Sequence, residues 1–165
     1  SLKIEGRMKS IYYVSNIVRT YRDAIDKYYK EKSNFEFNDK WLEELEKSSH
    51  RKYTEGFIEG KPGKDGQVYD SSSYIRTYDF IGVVKSYDEK SKVATVEQRN
   101  RLFKGETIEI IGPEFKGHTQ VIDYLKDEDN KDIDVAPHPQ QIMKIKMEKP
   151  VEKMYILRRK RKDNE

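Results

Sequence analysis

Near the start of the chain, the apolar side chains Ile11, Val14, Val18, Tyr21, Ile25 and Tyr28 recur at spacings of three and four, which places them on one face of a helix. Ser10 stands where an N-cap hydroxyl would accept from a first-turn amide. The pattern lapses at Lys32-Ser33-Asn34. A second, shorter helix is predicted after Asn38 or Asp39, with Trp41, Leu42 and Leu45 as its buried side and Lys47 near its end, where a cation suits the helix dipole.

From Ser48 to Thr77 the periodicity gives way to Gly, Pro, Ser and charged residues, with Gly60 to Gly66 as the clearest turn-rich stretch. Beyond it the period shortens to two. Strands are predicted at Tyr78 to Tyr87, Lys92 to Gln98, Glu106 to Ile111, His118 to Leu125, Asp132 to Val135, Gln141 to Met147 and Met154 to Leu157. In Gln141 to Met147 the alternation is clean, with Met143, Ile145 and Met147 on one face and Lys144 and Lys146 on the other. Short strands separated by turns suggest a small antiparallel β-barrel, which would remove exposed sheet edges. The expected organisation is α+β: an opening strand with two helices over residues 1–47, a linker over 48–77, a β-barrel over 78–157 and a basic tail over 158–165.

Composition alters this picture in two ways. The chain has 165 residues, 38% of them charged, and no cysteine, so disulfides, thiolate metal sites and a cysteine nucleophile are excluded for these residues. Its net charge of +3 is uneven, because Gln140 to Glu165 holds nine Lys or Arg against four Asp or Glu. An electrostatic partner site is therefore expected toward the C-terminal end. The longest apolar stretches are only a few residues, so no membrane span is expected, and with no signal-peptide pattern the expected location is cytoplasmic.

Few motifs suggest chemistry. His50, His118 and His138 are dispersed without zinc-site spacing, and Asp127 to Asp132 lacks the glycine that a calcium loop needs. No nucleophile elbow or phosphate-cradling glycine loop appears, and no metal or cofactor site is expected in this chain. The run Arg158, Arg159, Lys160, Arg161 and Lys162 is the strongest candidate for binding phosphates, assisted by Lys144 and Lys146, with Tyr155 as a nearby aromatic for stacking.

Several segments carry a family resemblance: Lys3 to Ser10, Val18 to Arg22, Ser73 to Arg76, Val96 to Arg101 and Ala136 to Gln141. Together they resemble, in order, the C-terminal part of the collagenase-like peptidases, family U32. The resemblance implies that the opening stretch is the last strand of a (β/α)8 barrel, that the first helix is that barrel's final helix, and that a separate β-barrel follows. It also implies that the chain is a C-terminal part of a longer protein. Most of the catalytic barrel, with the cysteines that hold an iron–sulfur cluster in some relatives, would then lie upstream. Ile4-Glu5-Gly6-Arg7 spells a recognition sequence for a tag-removing protease, but the resemblance starts before it and continues past it, so native sequence is expected. The segment Phe80 to Pro113 is also similar to the second domain of translation elongation factors.

Two activities are associated with the family. Some members are described as proteases that degrade collagen, and others are needed for hydroxylation of uridine in transfer RNA or cytidine in ribosomal RNA. The resemblance implies an accessory barrel that positions a protein substrate for the catalytic domain, with Lys3, Glu5, Arg7 and His50 as substrate-side candidates. The alternatives are a module that holds structured RNA, and a non-catalytic protein-interaction barrel that packs on its own catalytic domain.

Overall fold

The computed structural model describes residues 2–58, 60–61, 63 and 73–161. Helix α1 (Ile11–Glu31) begins after Ser10, whose backbone is extended but whose hydroxyl makes no capping bond. A single 3-10 turn (Lys32–Asn34) leads to helix α2 (Asp39–Glu46), where the Asn38 side chain accepts from the Lys40 amide at 3.2 Å. Trp41 is the anchor of this pair. It is 3% exposed, stacks on Phe35 at 5.9 Å and donates its indole N–H to Asp23 at 2.7 Å.

Helix α1 does not turn its predicted face inward, and α2 does so only in part, with Trp41 buried and Leu45 half-buried as expected. Ile11, Val14, Val18, Tyr21 and Tyr28 are exposed, Val18 by 47%, and Leu42 of α2 is exposed as well. The side of α1 that faces the rest of the molecule carries Tyr12, Asn16, Ile17, Arg19 and Thr20, and α2 buries Glu44 beside Trp41. The expected strand at the start does not form. Residues 2–7 join no sheet among the described residues. Gly6 instead rests against Val14 and Tyr13 of α1.

The centre of the expected linker lies largely outside the described residues. Its two ends meet in a short bridge, in which the His50 and Ile75 backbones exchange hydrogen bonds of 3.2 and 2.8 Å.

Among the described residues the remainder is nine strands: β1 (Tyr78–Asp88), β2 (Val93–Gln98), β3 (Leu102–Phe103), β4 (Thr107–Ile111), β5 (His118–Val121), β6 (Leu125–Asp127), β7 (Val135–Ala136), β8 (Ile142–Lys146) and β9 (Ile156–Lys160). Seven form one antiparallel sheet in the order β5-β4-β9-β1-β2-β8-β6, and β3 pairs with β7. The sheet curls into a half-barrel, and the whole is α+β as the pattern suggests. The Gln120 side chain of β5 donates to the Lys146 carbonyl at 2.8 Å and accepts from the Glu148 amide at 3.1 Å, drawing one end of the sheet toward the other.

Inside the curl, Ile81, Val96, Ile108, Met143, Ile145 and Leu157 are almost completely buried. Burial at this level contributes roughly 1.5–3 kcal/mol per large aliphatic side chain. Gly82 allows the central strands to close up: a methyl there would sit 2.7 Å from Val96 Cγ1 and 2.9 Å from the Glu97 carbonyl oxygen. On the outer face of β1 and β9, Val83 and Ile156 pack with Tyr12 of α1, whose ring stacks on Phe80 at 5.8 Å.

The C-terminal cations require the main correction. The sheet does not end at Leu157, and Arg158 to Lys160 are not a tail. They continue β9, paired with Phe80, Asp79 and Tyr78 of β1. The charge run hid a strand because each of its first two arginines has a carboxylate waiting across the fold. Among the described residues, no helix is long and apolar enough to cross a membrane.

Candidate functional site

Successive residues of a strand point to opposite faces, so Leu157 enters the half-barrel while Ile156 and Arg158 face the helices. Arg158 is 0% exposed. Its Nε donates to Glu109 Oε2 at 3.0 Å, Nη1 to Asn16 Oδ1 at 3.2 Å, and Nη2 to Glu44 Oε2 at 2.9 Å and Glu109 Oε1 at 2.7 Å. Glu44 also pairs with Arg19 and, at 2.9 Å, with Lys47. Arg19 in turn donates to the Glu114 carbonyl at 2.8 Å. Burial alone would raise the Glu44 carboxyl, but Arg158 and Arg19, helped by Lys47, outweigh it and hold the pKa below its ordinary value. The Tyr12 phenol beside this hub is pushed up to about 12, mainly by burial. The hub is saturated with internal partners, and Arg158 is therefore no phosphate contact.

At the open end of the half-barrel the inward positions change from apolar to polar. Ile81, Val96 and Leu157 are followed toward the rim by Asp79, Gln98 and Arg159. Arg159 bridges Glu106 at 2.7 Å and Asp79 at 3.2 Å, and Arg161 Nε lies 3.6 Å from Asp79. Rim segments add Arg76, Arg99, Arg101, Phe103, Pro137 and Pro139. The result is a groove of about 610 Å³ whose lining has five arginines against one carboxylate, Asp79. Arg99 is held by Glu97, whereas Arg76 and Arg101 make no ion pair among the described residues. Phe103 is 43% exposed. In the floor, Gln98 donates to the Ala136 carbonyl at 2.8 Å, while its buried Oε1 accepts no hydrogen bond among the described residues. An arginine-lined groove with an exposed aromatic can hold a polyanion and stack a planar group.

The remaining candidates are scattered. Lys3, Glu5 and Arg7 are exposed, and Glu5 only accepts from the Arg7 amide at 3.3 Å. His50 stacks on Tyr53 at 4.8 Å, with Nδ1 2.8 Å from the Ser48 carbonyl. Lys144 is tied to the 128–130 turn through the Glu128 carbonyl and Asn130 Oδ1, and Lys146 is exposed; neither lines the groove. The half-buried Tyr155 packs against the core with its hydroxyl 3.3 Å from Glu114 Oε2, so it is not displayed for stacking on the lysine face. Lys160 is exposed at the end of β9, and Lys162 lies outside the described residues.

Sequence reasoning missed Arg76, Arg99, Arg101 and Phe103, although Ser73 to Arg76 and Val96 to Arg101 were among the resembling segments. Their signal was dispersed, single arginines that only the fold gathers. Among the described residues no group of three or more His, Asp or Glu could hold a metal ion. With no cysteine in the chain, these residues do not fit an iron–sulfur cluster.

Residues 1–68 match the profile of peptidase family U32, and residues 76–158 match that of its C-terminal domain. The chain is 43% identical to tRNA hydroxylation protein P1 of Bacillus subtilis over 159 residues, 96% of this chain and 38% of that protein. It is 36% identical to tRNA hydroxylation protein P of Escherichia coli over 115 residues, 69% of this chain and 24% of that protein. An uncharacterized protease of Methanocaldococcus jannaschii is 30% identical over 86% of this chain and 35% of its own length. A solved C-terminal domain from Geobacillus thermoleovorans, 41% identical, covers 49% of this chain and 99% of its own, with a TM-score of 0.47. The chain thus spans less than two fifths of the curated relatives it matches, and it belongs to peptidase family U32.

Proposed function

We propose that this chain is the RNA-holding portion of a protein that takes part in tRNA hydroxylation in the cytoplasm. The observation that carries the reading is the groove at the open end of the half-barrel, where five arginines face one carboxylate. Arginine-rich surfaces attract phosphate backbones through counterion release. Two of the relatives above are named for tRNA hydroxylation, and this favours an RNA partner over the protein substrate that the family name suggests.

The catalytic step belongs, in this reading, to the part of the relatives that the chain does not span. That part would seat on the bare apolar face of α1, at Val14, Val18 and Tyr21, since the match to the main family profile ends with the helical segment and its connection to the sheet. Exposed apolar side chains at helical spacing are the expected seat for such a partner.

The test is binding of unmodified tRNA to the 165-residue chain across a salt series, with duplex DNA as competitor. Saturable binding that weakens linearly in log salt and resists DNA competition supports the reading. Failure to bind tRNA at about 50 mM salt, where phosphate contacts are strongest, overturns it.

A further inference from the structure

We infer that the groove at the open end of the half-barrel takes unpaired RNA, with one base stacked on Phe103 and the flanking phosphates held by Arg76 and Arg101. The inference rests on the RNA reading above and adds which part of the RNA is bound and by which residues.

The division of labour among the arginines points to this. Arg159 is committed to Glu106 and Asp79, and its Nη1 also donates to the Arg101 carbonyl at 3.4 Å, so it braces the rim from below. Arg99 is paired with Glu97, and Arg161 with Asp79. Arg76 and Arg101 are exposed and carry no carboxylate partner among the described residues, which leaves their charge available to an incoming anion.

Phe103 is the second element. It sits on the two-residue strand β3, fixed by pairing with Val135 and by its amide donating to Glu106 Oε2 at 3.0 Å, yet its side chain is exposed. An aromatic held rigidly at a rim beside two unpaired guanidinium groups suits a base and its flanking phosphates. In a duplex the bases are stacked on one another and their faces are covered; a loop or single strand exposes them. The apolar walls contributed by Pro137 and Pro139 give a ring further surface and cannot donate a competing backbone hydrogen bond. An acidic protein segment would satisfy the arginines but would leave Phe103 without a role.

The experiment measures binding of three probes to the 165-residue chain: tRNA, a single-stranded RNA 12-mer and a duplex RNA of equal length. The variants are Arg76→Ala with Arg101→Ala, Phe103→Ala, and Lys144→Ala with Lys146→Ala as a control outside the groove. Thermal melting of each verifies folding, since none of the groove positions changed is buried. The single strand is expected to bind more tightly than the duplex. The double arginine variant flattens the log affinity against log salt slope for the 12-mer by about 1.4, from two phosphates at about 0.7 each. Phe103→Ala lowers affinity roughly 5- to 150-fold without changing that slope. The lysine control binds as the parent does.

If tRNA binds but both groove variants behave as the parent, the groove inference fails while the RNA reading stands. Preference for the duplex, or displacement by poly-glutamate as readily as by single-stranded RNA, also overturns the inference. Absence of tRNA binding by the unaltered chain overturns the RNA reading and the inference with it.

Discussion

Arg158 Nη2 of β9 donates to Glu44 Oε2 of α2 at 2.9 Å, although 114 residues of sequence separate them. The contact ties the last strand of the sheet to the second helix within a cluster that includes Asn16, Arg19, Lys47 and Glu109. Removing one member of a buried pair strands the other's charge away from water.

Arg158→Met is expected to lower the unfolding free energy by about 3–5 kcal/mol. Glu44→Gln added to it should cost much less than Glu44→Gln alone, because its main partner has already gone. Urea denaturation of the two single variants and the double variant gives the coupling directly. A loss below about 1 kcal/mol for Arg158→Met, the range of a solvent-exposed pair, would show that the hub is not a stabilising joint.

Acid should weaken the same joint. The folded-state pKa of Glu44 lies below its ordinary 4.5, so the unfolded chain takes up a proton before the folded one does. The stabilisation is present above about 4.5 and is lost progressively as pH falls through the depressed folded value. His118 adds an earlier step: burial, assisted by Lys149, lowers its pKa from 6.5, so stability declines as pH drops below that value. Melting temperature followed from pH 8 to 3 should show both declines. His118→Gln should remove the upper one and Glu44→Gln should flatten the lower one; unchanged profiles in these variants would contradict the assignment.

Trp41, the sole tryptophan, reports on the helices, while the far-ultraviolet circular dichroism also reports on the sheet. Because Arg158, Asn16 and Glu44 join the two parts, fluorescence and dichroism should give coincident unfolding curves. An earlier fluorescence transition would mean that the helices detach before the half-barrel unfolds.

Val18 and Ile17 are neighbours in sequence with opposite exposure, 47% and 8%. In the 165-residue chain, Val18→Ser should alter stability by no more than about 0.5 kcal/mol, and Ile17→Ser should cost about 2 kcal/mol or more. In the longer protein proposed above, Val18→Ser should become destabilising as well. Equal effects of both substitutions in the 165-residue chain would show that the stripe is already covered.

These contrasts show which features could be read along the chain. Strand alternation in residues 141–147 was legible because the apolar period of two coincides with the inside of the curl, whereas β1 is an apolar run whose alternation is broken by bulges between Phe80 and Gly82 and between Val84 and Ser86. Helix limits were legible from Ser10, the lapse at Lys32 and the Asn38 cap. The inward face of α1 was not, since it follows the same 3.6 period in polar letters, Asn16, Arg19 and Thr20, which a hydrophobicity pattern passes over. Arg158 was misread for a similar reason: its partners lie 49 and 114 residues away, beyond any local spacing rule. The groove was illegible because its arginines come from separate segments, and only the register of β1, β2 and β9 brings them to one rim.

Helix α1 gives one side to the Arg158 hub and leaves the other bare. Any body seated on the bare side is therefore held at a set angle and distance from the rim of the half-barrel, much as the arms of a set square hold theirs. An RNA strand gripped at Phe103 would present a nucleotide a fixed number of ångströms along to that body. Selection of the nucleotide would then depend on reach as well as on contacts to its base, and inserting or deleting a turn in α1 would shift which position in the RNA is addressed.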